Sequence, residues 1–79
     1  MALKDLVATV AEALVDDPDG VEVAEIEDER GVLVELRVAK GDMGKVIGKD
    51  GRTAQSIRAL LNAAAARQGC RAQLEIIDG

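Results

Sequence analysis

The feature that most restricts how this chain can fold is a pair of glycines, Gly48 and Gly51, placed between two segments of helical character. Two glycines three positions apart permit positive φ angles and a tight reversal, and they leave no Cβ in the way of another backbone. The amides of such a turn and the N-terminus of the following helix direct positive charge outward. The run therefore predicts an anion site, although a Gly-x-x-Gly turn also occurs as a simple connection between two helices.

Apolar periodicity predicts the elements around this turn. A helical face is formed by Leu3, Leu6, Val7, Val10 and Leu14, and a period of two is formed by Val32, Val34, Leu36 and Val38. Asp42 is a potential N-cap of the short helix that precedes the glycines. Because 79 residues suffice for one hydrophobic core only, we expect a single domain, 1–79. The predicted elements are a helix over 2–15, an edge strand over 21–27, a strand over 32–39, a short helix over 42–47, a long helix over 52–68 and a strand over 72–76.

The missing residue types exclude several functions. The chain has no Phe, Tyr or Trp, which argues against binding modules that stack bases on aromatic rings. It has no His and one cysteine, Cys70, so one copy cannot build a four-ligand zinc site or a histidine base. No cofactor and no enzymatic activity are expected. The single thiol and the lack of a signal peptide or long apolar run predict a cytoplasmic protein without a membrane segment.

Charge is divided unevenly along the chain. The net charge of −5 argues against a nucleic-acid partner when the protein is taken as a whole. However, residues 1–35 carry two basic and eleven acidic side chains, whereas residues 36–79 carry eight basic and four acidic ones. This segregation favours a positive face around the glycine turn, where Lys45, Lys49 and Arg52 lie.

The residues of the turn also carry a resemblance. The run Ile-Gly-Lys-Asp-Gly, followed by Ile57 and set between a short and a long helix, resembles the signature of KH domains. The helix-first order resembles their type II arrangement. The length, the run from Gly41 to Arg52 and the Ala-rich helix are similar to the KhpA-like family of small bacterial proteins with a single KH domain. The resemblance implies an α+β fold of αββααβ order, with a three-stranded sheet packed on helices.

The same resemblance implies a function. Proteins of this kind bind single-stranded RNA through a GXXG loop that clamps about four nucleotides. The family implies a small RNA chaperone or post-transcriptional regulator linked to cell elongation and division, which forms homodimers and pairs with a larger KH protein, KhpB or Jag. Carried over by position, the RNA-binding residues are Lys45, Val46, Ile47, Gly48, Lys49, Asp50, Gly51, Arg52 and Thr53.

Several alternatives stay open at this stage. The fold is alternatively an assembly module that serves mainly homodimer or partner contacts and binds RNA weakly. Asp50 either weakens phosphate binding or caps the following helix near Arg52 or Thr53. The alanines beside Leu60 either form a dimer interface or are buried within the monomer, and they are Ala59, Ala63 and Ala66. Three arginines either extend the basic face or are solvated ends of helix and strand, namely Arg58, Arg67 and Arg71.

Overall fold

The computed structural model describes residues 1–77, which form three helices and three strands in the predicted αββααβ order. The last two residues of the expected domain 1–79 lie outside the described residues. Short 3-10 turns occupy Pro18–Gly20, Lys40–Asp42 and Lys49–Gly51. The main elements are α1 (Leu3–Leu14), β1 (Glu22–Asp28), β2 (Gly31–Arg37), α2 (Met43–Ile47), α3 (Arg52–Arg67) and β3 (Ala72–Ile77).

The sheet has the order β1-β2-β3, with β1 antiparallel and β3 parallel to the central strand β2. The period of two in β2 has the predicted consequence, since Val32, Val34 and Leu36 are all buried on one face. On that face Val34 stands opposite Glu25 of β1 and Leu74 of β3. The strand β1 is the exposed edge that its irregular alternation predicted.

The core lies between this face of the sheet and the helices. Both long helices contribute a stripe of residues at a spacing of three or four, as an amphipathic helix requires. From α1 and its end the buried residues are Leu3, Val7, Ala11 and Val15, and from α3 they are Ala54, Ile57, Leu61 and Ala65. Leu14, which we expected on the apolar face of α1, is 38% exposed, as the last residue of the helix. The core is entirely aliphatic, so its packing depends on branched side chains.

Candidate nucleic-acid interface

The turn between α2 and α3 is built from unusual backbone angles. Gly48 ends α2 with φ 76° and ψ 174°, a combination that is essentially restricted to glycine. Asp50 and Gly51 both adopt left-handed conformations, with φ of 57° and 74°. Two hydrogen bonds fix the loop, from the Gly48 amide to the Gly44 carbonyl at 2.9 Å and from the Gly51 amide to the Gly48 carbonyl at 3.2 Å.

The two glycines of the loop have different roles. A Cβ at Gly48 would lie 2.7 Å from the Cβ of Thr53 and 2.9 Å from its backbone nitrogen, so a side chain has no room there. At Gly51, by contrast, a Cβ would meet nothing within 4 Å. Gly48 therefore allows α3 to pack closely after the turn, whereas Gly51 leaves an open surface that an incoming backbone can approach.

The position of the loop favours an anion. Not every amide of the turn faces outward as predicted, because the Gly51 amide donates to the Gly48 carbonyl within the loop. The loop lies directly before the N-terminus of the 16-residue helix α3, which adds favourable potential for negative charge.

Asp50 does not cap α3. The N-cap position belongs to Gly51, no side-chain hydrogen bond caps the helix, and the Asp50 carboxylate accepts no hydrogen bond from the described part of the chain. Its left-handed conformation explains the difference, because it places the residue in the turn rather than at the extended geometry of an N-cap. Aspartate tolerates that conformation better than most residues. The exposed carboxylate therefore opposes an anion at the loop.

Lys45 is engaged elsewhere. Its Nζ lies 3.1 Å from Oδ2 of Asp16, in the connection between α1 and β1, and 3.9 Å from Oδ1 of Asp42. Asp42, 4% exposed, occupies the predicted N-cap position of α2, but its side chain makes no capping hydrogen bond. Its carboxylate instead accepts hydrogen bonds from the amides of Asp16 and Asp17 at 3.3 and 3.1 Å. The physical reason is that the connection folds over the start of α2 and presents two amides that the buried carboxylate satisfies.

The remaining predicted residues divide between core and surface. Val46 is fully buried and supports the loop from the core, so it has no surface to offer a ligand. Ile47 and Thr53 are partly buried beside the loop, whereas the side chains of Lys49 and Arg52 are exposed. The structure thus brings most of the predicted site to one surface, with two accessible cations instead of three.

A groove also lies along α3, and its individual lining residues were not predicted from the sequence. It lies between α3 and the outer edge of β3, with a volume of about 280 Å³. The signal for it was present in the spacing of Arg58 and Asn62, which lie four residues apart on α3 outside the apolar stripe. The lining residues are Arg58, Leu61, Asn62, Ala72, Gln73 and Leu74.

A three-stranded sheet with helices on one face and an open Gly-x-x-Gly loop between the second and third helix defines a KH domain of type II. The family model described as KhpA/KhpB, KH domain, matches residues 4–76, and the chain belongs to this family. A protein named RNA-binding protein KhpA from Caldanaerobacter subterraneus subsp. tengcongensis is 56% identical over 73 residues, which cover 92% of this chain and 97% of that protein. The protein of the same name from Aquifex aeolicus is 49% identical over 77 residues, 98% of each chain.

A solved structure has the same fold. Era from Aquifex aeolicus, in complex with GDP and AlF4−, superposes with a TM-score of 0.68 at 20% identity, over 94% of this chain and 29% of Era. The prediction that the chain is not an enzyme is confirmed by its family, whose members are named as RNA-binding proteins. No helix within residues 1–77 has the length and hydropathy needed to cross a membrane. No group of three or more acidic, His or Cys side chains in that range is arranged to hold a metal ion.

Proposed function

We propose that this protein binds single-stranded RNA through the loop at 48–51 and acts, without catalysis, as a small RNA chaperone or post-transcriptional regulator linked to cell elongation and division. The observation that carries the proposal is the open surface over Gly51, directly before the N-terminus of α3 and beside the exposed side chains of Lys49 and Arg52. A phosphate that approaches this surface meets no side chain at Gly51. The name shared by the relatives, RNA-binding protein KhpA, supports the same class of ligand.

Single strands fit this surface better than a duplex. A GXXG loop holds the backbone of about four nucleotides, and the bases then turn toward the adjoining groove. In this protein the groove contains aliphatic side chains, Leu61 and Leu74, together with polar Asn62 and Gln73. Paired bases in a helix cannot enter it. Unpaired bases can contact the aliphatic surface without the aromatic stacking that the sequence excludes.

The number of accessible cations predicts weak, salt-sensitive binding. Each phosphate neutralised on a single strand contributes about −0.7 to the slope of log affinity against log salt. With Lys49 and Arg52 free, the expected slope is about −1.4. The exposed carboxylate of Asp50 opposes the phosphate and lowers the affinity further.

The decisive test is the charge reversal Lys49→Asp. Both glycines remain, so the turn is retained, but a charge-assisted contact worth about 1–3 kcal/mol is lost. RNA affinity should fall by about tenfold or more, the middle of that range. The control is Lys4→Asp, which makes the same change in charge far from the loop. The start of the chain lies at the opposite end of α3 from the loop, since the Met1 carbonyl accepts a hydrogen bond from Gln68. Equal RNA affinity of folded Lys49→Asp and wild type would overturn clamping at 48–51.

One observation favours a second candidate function in protein assembly. Leu60 on α3 is 51% exposed, and the neighbouring Ala59, Ala63 and Ala66 are exposed as well. Burial of these alanines within the monomer, one of the two alternatives, is therefore wrong. An exposed Leu among small side chains lets a second helix approach closely, which supports a homodimer or a KhpB-type partner on this face.

A further inference from the structure

The groove beside β3 adjoins a second, larger surface cavity. This second cavity, of about 1250 Å³, lies between the end of α3 and the turn that joins β1 to β2. The two cavities share the lining residues Asn62, Ala72 and Gln73, so they lie next to each other along the edge of the sheet, and together we call them the channel. Gly51, Arg58 and Asn62 fall on one side of α3 because they lie seven and four residues apart. The channel therefore leads from the loop towards the β1–β2 turn.

The charge of the channel changes along its length. Lys49, Arg52 and Arg58 stand at the loop end. The far cavity is lined by three carboxylates, from Glu27, Asp28 and Glu29, and by two guanidinium groups, from Arg30 and Arg71. The Arg30 guanidinium lies 3.9 Å from the Asp28 carboxylate, which leaves Arg71 alone against two glutamates.

The position of Glu27 follows from the register of the sheet. Glu27 stands opposite Val32, which in turn stands opposite Ala72, so all three share the face on which the helices pack. Two strand spacings separate Glu27 from Ala72, about 10 Å. At physiological ionic strength a charge is screened over about 8 Å, so these carboxylates act on a strand in the far cavity and only weakly at the loop.

We propose that the acidic β1–β2 turn determines where the bound RNA strand ends, so that nucleotides beyond the groove add no phosphate contact. This inference rests on the proposed binding of RNA at 48–51. Nucleotides beyond the groove meet Glu27 and Glu29 instead of further cations, and they gain no contact. Arg71 offsets part of this charge but not both glutamates.

The test compares oligouridylates of about four and about ten nucleotides. The readout is the slope of log affinity against log salt, which counts the phosphates that the protein neutralises. Affinity alone would mislead, because a longer oligomer can bind in more registers and so binds more tightly without any new contact. In the wild type both oligomers should give the same slope. In Glu27→Lys/Glu29→Lys the longer oligomer should give a slope steeper by about −1.4, equivalent to two further phosphates, and the shorter one should be unchanged.

Two further variants keep the test decisive. Asp5→Lys/Glu12→Lys makes the same change in net charge at exposed positions of α1 that line neither cavity, and it should leave the slopes of both oligomers equal. Glu29 lies in the turn outside the strands, so Glu29→Lys alone should remain folded even if the double variant folds poorly. It should steepen the slope of the longer oligomer by half as much as the double variant. Equal slopes in a folded Glu29→Lys or double variant, or a steeper slope for the longer oligomer in the wild type, would overturn the inference. Wild-type affinity of folded Lys49→Asp for the short oligomer would instead overturn the proposed function.

Discussion

The Nζ atom of Lys45 lies 3.1 Å from Oδ2 of Asp16, and this contact joins the acidic first half of the chain to the basic second half. Both side chains keep access to water, with 43% and 81% of their surface exposed. An exposed pair of this kind contributes about 0.2–1 kcal/mol. The contact is thus weak enough for a phosphate to displace, yet it neutralises a cation next to the loop at 48–51.

The first prediction concerns this pair. Lys45→Ala should lower RNA affinity by less than about twofold, because Asp16 already neutralises the lysine in the free protein. Asp16→Asn should raise the affinity up to about fivefold and steepen the salt slope by about −0.7, because Lys45 is then released. Affinity measured for both single variants and the double variant over a salt series checks this. A loss with Lys45→Ala as large as with Lys49→Ala would show that Lys45 binds RNA despite the pair.

The second prediction concerns Asp42. Its buried carboxylate accepts two backbone hydrogen bonds, from Asp16 and Asp17, and lies near Lys45. Asp42→Ala should lower the free energy of unfolding by about 1–3 kcal/mol, because the amides lose a charged acceptor. Denaturant unfolding measures the change, with Asp19→Ala as a control on the same connection. Equal stability of Asp42→Ala and the control would show that the hydrogen bonds contribute nothing.

The third prediction separates the two glycines of the loop. Gly48→Ala should destabilise the fold by about 2–3 kcal/mol, because its backbone conformation is essentially restricted to glycine and a Cβ overlaps Thr53. Gly51→Ala should cost only about 1 kcal/mol, since its left-handed conformation has open space around it. Although Gly51→Ala costs less stability than Gly48→Ala, the folded Gly51→Ala variant should lose RNA affinity by about tenfold. Unfolding and RNA titration on the same samples distinguish the two roles.

The regular elements were predictable because each leaves a local pattern. The alternation in β2 and the helical spacing of Leu3 and Val7 are decided within a few residues, and both predictions are confirmed. The loop was predictable for the same reason, since two glycines and the flanking cations are adjacent in the chain.

The side-chain partners were less predictable than the positions. Asp42 occupies its predicted N-cap position, but the partners of its carboxylate lie 25 and 26 positions earlier in the sequence. The connection that carries these partners also pairs Asp16 with Lys45. Capping of α3 by Asp50, one of the two alternatives, is wrong because the turn imposes a left-handed conformation on this residue. Local residue preference gives no information about either effect.

The last prediction tests the exposed face of α3. Leu60→Glu places a charge at a position that is 51% exposed, so the monomer loses little packing and should remain folded. If the face is a dimer seam, the buried charge should prevent association, and sedimentation should change from dimer to monomer. Arg67→Glu, also exposed on α3, controls for a change of charge on the helix. RNA affinity per chain should be unchanged in Leu60→Glu because the loop is not altered. An unfolded Leu60→Glu variant, or one that remains a dimer, would show that the exposed face of α3 is not the dimer interface.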